Sequence, residues 1–205
     1  MFDEWCDIDE TVNGDKKKLC LLTEKVNGRT AITDELVQRV RAHYDKLQQI
    51  ADDVERLGFP GASAILRERM PRTPRARSGE MGEIIATEFI EFYTGFRIPV
   101  RRLRYKDGRE MALRGDDFLG VDEDEEERLF FLKGESKSGQ AVSNAVVTDA
   151  RERLSADDGR PTPISQLFVA DRLLEAANED DSALGRKIRD EVALKCPPSG
   201  PMAQI

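Results

Sequence analysis

Apolar residues recur at steps of three or four along much of this chain, which is the mark of helices that bury one face. Val37, Val40, Tyr44, Leu47, Ile50, Val54 and Leu57 form one such stripe and predict a helix over 34–57. Thr33 is placed to cap it, Asp34 and Glu35 fall in its first turn, and Gly58 and Pro60 end it. A short helix over 61–69 follows. Upstream, Asn13-Gly14 and Asn27-Gly28 mark turns on either side of LCLLTEKV, which reads as a short strand. Beyond the proline- and arginine-rich connector MPRTPRARSG, Ser78 is placed to cap the helix GEMGEIIATEFIEFY, and Gly95 stops it. Met81, Ile84, Ile85, Phe89 and Phe92 make its apolar face. At about 100° per residue, Glu80, Glu83 and Glu91 lie near one another on a different face.

Residues 97–137 change period and predict three strands: RIPVRRLRY, EMALRGDDFLGVD and RLFFLKGESK. Asp107-Gly108 turns the chain between the first two, and the run DEDEEE joins the last two. Ser138 is placed to cap a helix through Leu154 with Val142, Ala145, Val146 and Ala150 inward. Asp157-Asp158-Gly159 breaks it. Thr162 and Pro163 then form an N-cap and first-position pair, so ISQLFVADRLLEAA reads as a helix, with a strand over ISQLFVA as the alternative. Ser182 is a candidate cap for a last helix, and CPPSGPMAQI reads as an unstructured tail. No internal repeat is present. The division that follows is an N-terminal region over 1–74, a core over 75–195 and a tail over 196–205.

Composition narrows the chemistry. The 205 residues carry 32 Lys and Arg against 40 Asp and Glu, a net charge of −8, so tight nucleic-acid binding by this chain alone is disfavoured. No apolar run approaches the length of a membrane span, and the acidic start MFDEWCDIDE is no secretory signal, so a cytoplasmic protein without membrane contact is expected. Cys6, Cys20 and Cys196 lack metal-ligand spacing and read as reduced thiols. The lone histidine, His43, excludes sites built on several histidines; it reads as a surface or half-buried helix residue. Chemistry then falls to Asp, Glu, Lys, Arg, Ser or Tyr. The stretch from Arg67 to Arg114 is locally basic within the acidic chain.

RGDDFLGV followed by LFFLKGESK is the informative constellation. Read as an antiparallel hairpin with its turn centred near Glu126, the pair sets Asp117 opposite Glu135, with Cβ atoms about 4.5–5.5 Å apart. Glu135 and Lys137 share one strand face. Two carboxylates and an ammonium thus converge at one end of a sheet. Close carboxylates repel unless a cation lies between them. A divalent ion with oxygen ligands, Mg²⁺ or Mn²⁺, supplies one and suits phosphodiester hydrolysis, with the lysine orienting water or stabilising charge. A cross-strand salt bridge is the structural alternative. Lys133 to Ser138 is not a phosphate loop, which needs Gly directly before the Lys. Asp122 to Glu127 reads as a solvated turn.

Asp117 followed by Glu135-Ser136-Lys137 resembles the D…(D/E)xK signature of the PD-(D/E)XK nuclease superfamily. More narrowly, GEMGEIIATEFIE, RGDDFLGV and FFLKGESK in that order resemble the nuclease subunit of Hachiman-type anti-phage defence systems, over about residues 75–175. The resemblance implies an α/β fold with a restriction-endonuclease-like core, a central mixed sheet flanked by helices, preceded by a helical N-terminal region. It implies a Mg²⁺- or Mn²⁺-dependent deoxyribonuclease beside a helicase partner, with no small-molecule cofactor. Asp117 and Glu135 become metal ligands and Lys137 the catalytic lysine, with Asp116 a second candidate to Asp117. Glu80 or Glu83 completes the site, Glu83 fitting the Gly-Glu-Ile step better. Arg72, Arg75, Arg77 and Arg114 become candidate contacts to DNA phosphates, with pairing to neighbouring acids as the alternative. The helix at 34–57 is a candidate partner contact. A competing expectation is a non-catalytic regulatory subunit that keeps the fold.

Overall fold

The computed structural model describes residues 1–14, 17–111 and 113–193, together with the backbone of 203–204. The chain opens with a helical turn, α1 (Phe2–Trp5), and a hairpin of β1 (Cys6–Val12) and β2 (Lys18–Glu24). Helices α2 (Gly28–Ala31), α3 (Thr33–Tyr44), α4 (Leu47–Arg69) and α5 (Pro74–Thr94) follow. A second hairpin, β3 (Phe118–Glu123) and β4 (Leu129–Gly134), leads to α6 (Asn144–Ser155), α7 (Pro163–Leu174) and α8 (Glu179–Ala193). The two-residue β5 (Ala203–Gln204) pairs in parallel with β4.

The second hairpin is the centre. On one face Leu119, Val121, Leu129 and Phe131 pack with Val169, Ala170 and Leu173 of α7 and Ile188 of α8. On the other, Phe118 and Leu132 pack with Ile90 of α5 and with Ile98. The continuous apolar run of β4 has this cause, since both of its faces are covered. The N-terminal region is not separate from the core: Phe2, Trp5, Cys6 and Ile32 pack against Ile85 and Phe89 of α5.

The observed register, Phe118 opposite Gly134 through Glu123 opposite Leu129, is the one the acidic turn centre predicts. That turn is braced by Arg128 and Lys187, which pair with Asp124 and with Glu123 and Glu127. Helix α7 forms as expected, with Thr162 Oγ1 accepting the Ser165 N–H and Pro163 at the first helical position. Gly58, at φ 68°, interrupts α4 at the expected place.

Other expectations are corrected. The helix at 34–57 is broken at Asp45, whose backbone is extended at φ −151°. Asp45 is buried, accepts the Lys46 N–H at 2.8 Å and pairs with Arg69 at 3.2 Å; the apolar stripe runs across the break and hides it. Thr33 caps nothing, because its hydroxyl donates to the Arg29 carbonyl. Thr73 caps α5, its hydroxyl accepting the Ala76 N–H, so Ser78 lies inside the helix and bonds to Ser138. RIPVRRLRY is no strand. It makes one bridge, Arg97 to Val121, and then a tight turn over Arg102–Tyr105; Pro99, lacking an N–H, cannot extend a ladder. Helix α6 starts late, capped by Ser143, and none of its residues is buried, so the predicted inward face is absent; Val142 is 86% exposed. Asn178 Oδ1 accepts the Asp181 N–H, which puts Ser182 within α8. Leu19 to Glu24 do lie in β2, but the partner strand β1 carried no signal among its acids. Of the tail, Ala203–Gln204 forms β5; residues 196–202, with Cys196, and 205 lie outside the described residues.

Gly134 closes the hairpin where a side chain does not fit, since a Cβ there would stand 2.1 Å from the Phe118 ring. Gly134→Ala is expected to destabilise by about 2 kcal/mol and to lower the melting temperature by roughly 4–8 °C. A melting curve identical to wild type would contradict this packing.

Candidate active site

The β3–β4 hairpin ends at a cleft of about 550 Å³ lined by Glu80 and Glu83 of α5, by Asp116 and Asp117, and by Arg75 and Arg102. Backbone geometry sets this arrangement. Gly115 enters at φ +96°, and a Cβ there would stand 2.4 Å from Ser165 Oγ, so Gly alone suits the step before the acid pair. The next two residues then diverge. Asp116 is buried; its carboxylate accepts the Thr162 N–H at 2.9 Å and the Thr162 hydroxyl at 3.2 Å, and lies 3.5 Å from Lys133. It ties the hairpin to α7 and has little capacity left for a ligand.

Asp117 turns the other way. Its N–H donates to the Gly134 carbonyl and its Oδ2 accepts the Ser136 N–H at 2.7 Å, which continues the register one pair past the strands, to Glu135. Burial pushes its carboxyl above the usual carboxylate range, the Ser136 N–H opposes that, and Glu135 adds to the rise. Glu83 faces the same place from α5. Helix and motif strand approach closely here, because a Cβ on Gly82 would come within 3.0 Å of Ser136 Oγ. Burial, then the Asp117 and Glu80 charges, push Glu83 up to about 8. Glu83 makes no hydrogen bond or ion pair among the described residues.

The other expected residues are partnered. Glu80 accepts from Tyr44 Oη at 2.7 Å and from Lys106. Glu135, its side chain 5% exposed, meets Lys137 at 2.6 Å and Arg153 of α6 at 3.3 Å. Lys137 also reaches Asp149 at 2.8 Å. Glu91 lies apart, bound to Arg101 and the Ile98 N–H. Of the candidate phosphate contacts, Arg75 lines the cleft, Arg72 pairs with Glu68 at 3.6 Å, Arg77 donates to the Pro71 carbonyl, and Arg114 is exposed.

His43 is a correction. It is buried, 2.8 Å from Glu88, and burial lowers its pKa, so it is neither a surface nor a half-buried residue. Burial pushes Glu88 up, but the hydrogen bond from His43 and the charges of Arg101 and Arg39 outweigh it and hold Glu88 down to about 2. This knot fastens α3 to α5 behind the cleft. Sequence reasoning missed Arg102 in the cleft, and Tyr44 and Lys106 as the partners of Glu80. Each comes from a segment with no spacing relation to the acid motif.

The donor set fits a hard divalent cation: the carboxyls of Glu83 and Asp117, both raised by burial and neighbouring acids, with Asp117 fixed by the Ser136 N–H. As the side chains stand, no three His, Cys, Asp or Glu among the described residues are close enough to hold a metal ion together. Glu80 and Glu135 are turned toward their cations, which leaves Glu83 and Asp117 as the unpaired acids.

The comparisons bear on this site. A family model described as HamA matches residues 1–195. Over 120 residues the chain is 32% identical to the Hachiman protein HamA of Bacillus cereus; the match covers 58% of this chain and 41% of that relative. The matched stretch is thus less than half the length of that relative.

Glu83 also makes stability depend on pH. Its carboxyl is raised from 4.5 to about 8, so the native protein keeps a proton that the unfolded chain releases. Stability then falls as pH rises across that window. In the absence of divalent ions, Glu83→Gln is expected to gain roughly 2 kcal/mol over wild type at pH 8.5 and almost nothing at pH 4. Denaturant melts at the two pH values check this, and equal gains at both would contradict it.

Proposed function

The chain belongs to the HamA family, and from that premise we propose that it is a Mg²⁺- or Mn²⁺-dependent DNA nuclease of a Hachiman anti-phage system, built on a restriction-endonuclease-like core and working beside a helicase. The reading rests on one observation above all: Glu83 and Asp117 meet unpaired in a cleft, with Glu135 next along the hairpin register.

Asp117, Glu135 and Glu83 are the residues that would hold the ion, which when bound would acidify a water and polarise the phosphodiester. Asp117 is pre-aimed by the Ser136 N–H, so its carboxylate needs no reorientation. Glu83 gives up its proton as it becomes a ligand. Lys137 is held between Glu135 and Asp149; burial alone would lower its pKa, but the hydrogen bonds it donates to Asp149 and Glu135 raise it and keep it charged. A charged lysine here orients the attacking water or stabilises the phosphate oxygens. Among the described residues no helix is long and apolar enough to cross a membrane. The acidic chain gains little from DNA electrostatics, so a helicase that delivers the strand suits it.

A second reading has its own observation. Arg153 lies 3.3 Å from Glu135, an arrangement suited to a regulatory subunit that keeps the fold without the reaction. Against it, Arg153 is 59% exposed and sits on α6, where nothing is buried, so the side chain is free to leave.

Cleavage of plasmid and linear DNA with Mg²⁺ or Mn²⁺, with and without the helicase, separates the two. Glu135→Ala and Lys137→Ala are expected to lose at least about a hundredfold in rate. Equal cutting by wild type and both variants would overturn the site. No cutting by wild type under any of these conditions would establish the regulatory reading.

A further inference from the structure

Arg102 is the buried cation of the cleft, beside the acids but in ion-pair contact with none of them among the described residues. It is 7% exposed, yet it forms no ion pair among the described residues. One guanidinium edge is fixed, because Nη2 donates to the Arg114 carbonyl at 2.5 Å. The guanidinium also lies 5.3 Å from the centre of the Phe168 ring, which holds its plane. Of the five N–H donors of an arginine, the remaining ones have no protein acceptor among the described residues. Burying a guanidinium with no carboxylate in ion-pair contact is costly, and a neutral residue would serve if packing were the only demand. Burial lowers the Arg102 pKa while Asp117, Glu83 and Asp116 act against that, which places its charge beside the acids. At the rim of the same cleft, Arg75 is exposed and also makes no hydrogen bond or ion pair among the described residues.

We propose that Arg102 is the phosphate anchor of this cleft: its free donors take the non-bridging oxygens of the backbone phosphate that lies against Glu83 and Asp117, and Arg75 takes a neighbouring phosphate. The planar fork suits a tetrahedral anion better than an ammonium does, and the Arg114 and Phe168 contacts hold it ready before the strand arrives. The two arginines give the acid cluster what it lacks for a polyanion, a cationic wall. The inference rests on the nuclease reading and assigns its substrate contact.

The test is binding of fluorescein-labelled single-stranded and duplex DNA to the full chain, with Ca²⁺ replacing Mg²⁺, across a salt series. Wild type, Arg102→Met, Arg102→Lys and Arg75→Met are compared, and each is checked by thermal melting. Loss of one phosphate contact is expected to weaken binding about tenfold and to lower the slope of log affinity against log salt by about 0.9 on duplex. Arg102→Lys is expected to keep the slope and to lose part of the affinity. An Arg102→Met variant with a lower melting temperature and an unchanged slope would overturn the anchor and leave Arg102 as a strut for Phe168 and the Arg114 carbonyl. If wild type cuts DNA with Mg²⁺ while Arg102→Met binds and cuts equally well, the anchor falls and the nuclease reading stands. If wild type neither binds nor cuts even with the helicase present, both fall.

Discussion

Like charges do not gather at one end of a hairpin unless the backbone forces them to, and here the register of β3 on β4 does so. Gly134 lies under the Phe118 ring, the Asp117 N–H reaches the Gly134 carbonyl, and the Ser136 N–H reaches back to the Asp117 carboxylate. A slip of one residue would send Asp117 to the opposite face. Buried apolar side chains on both faces of the hairpin prevent that slip. The energy of the core is therefore what holds the acids together.

The surroundings divide the acids by partner. Asp116 bonds to the start of α7, Glu80 to Tyr44 and Lys106, and Glu88 to His43, Arg39 and Arg101. These three behave as struts, each joining elements far apart in sequence. Glu83 and Asp117 are left without a cation in ion-pair contact, and burial, with the charge of neighbouring acids, raises their carboxyls. The same cleft holds Arg102, buried and in ion-pair contact with no acid among the described residues. Acids and an arginine brought into one cleft without ion-pair contact suit the metal and phosphate site we propose, and a purely structural salt-bridge network would join them.

What was legible in the sequence follows from how local its cause was. The hairpin register came from the position of one acidic turn, and α7 from the Thr162-Pro163 pair. That Asp116 is taken up at the start of α7 while Asp117 is not was not legible, because its partner Thr162 lies 46 residues away. The break at Asp45 was hidden because Tyr44 and Leu47 continue the apolar stripe on either side of it. His43 looked like a surface residue because its partner Glu88 lies 45 residues on. RIPVRRLRY carried a strand-like pattern, but its arginines are drawn to Glu88, Glu91, Asp181 and three backbone carbonyls, and the segment turns instead. Arg102 was indistinguishable from the other arginines of a basic stretch, since only the tertiary structure shows which of them is buried unpaired.

On the proposed reading, Glu83 and Asp117 wait for a divalent cation. The most direct measurement is calorimetric titration of Mn²⁺ into the chain at pH 7, in two buffers of different ionisation enthalpy, for wild type and Asp117→Asn. The account predicts one saturable site in wild type, with release of close to one proton from Glu83 on binding, and loss of that site in Asp117→Asn. Binding without proton release, or a site that survives Asp117→Asn unchanged, would contradict it.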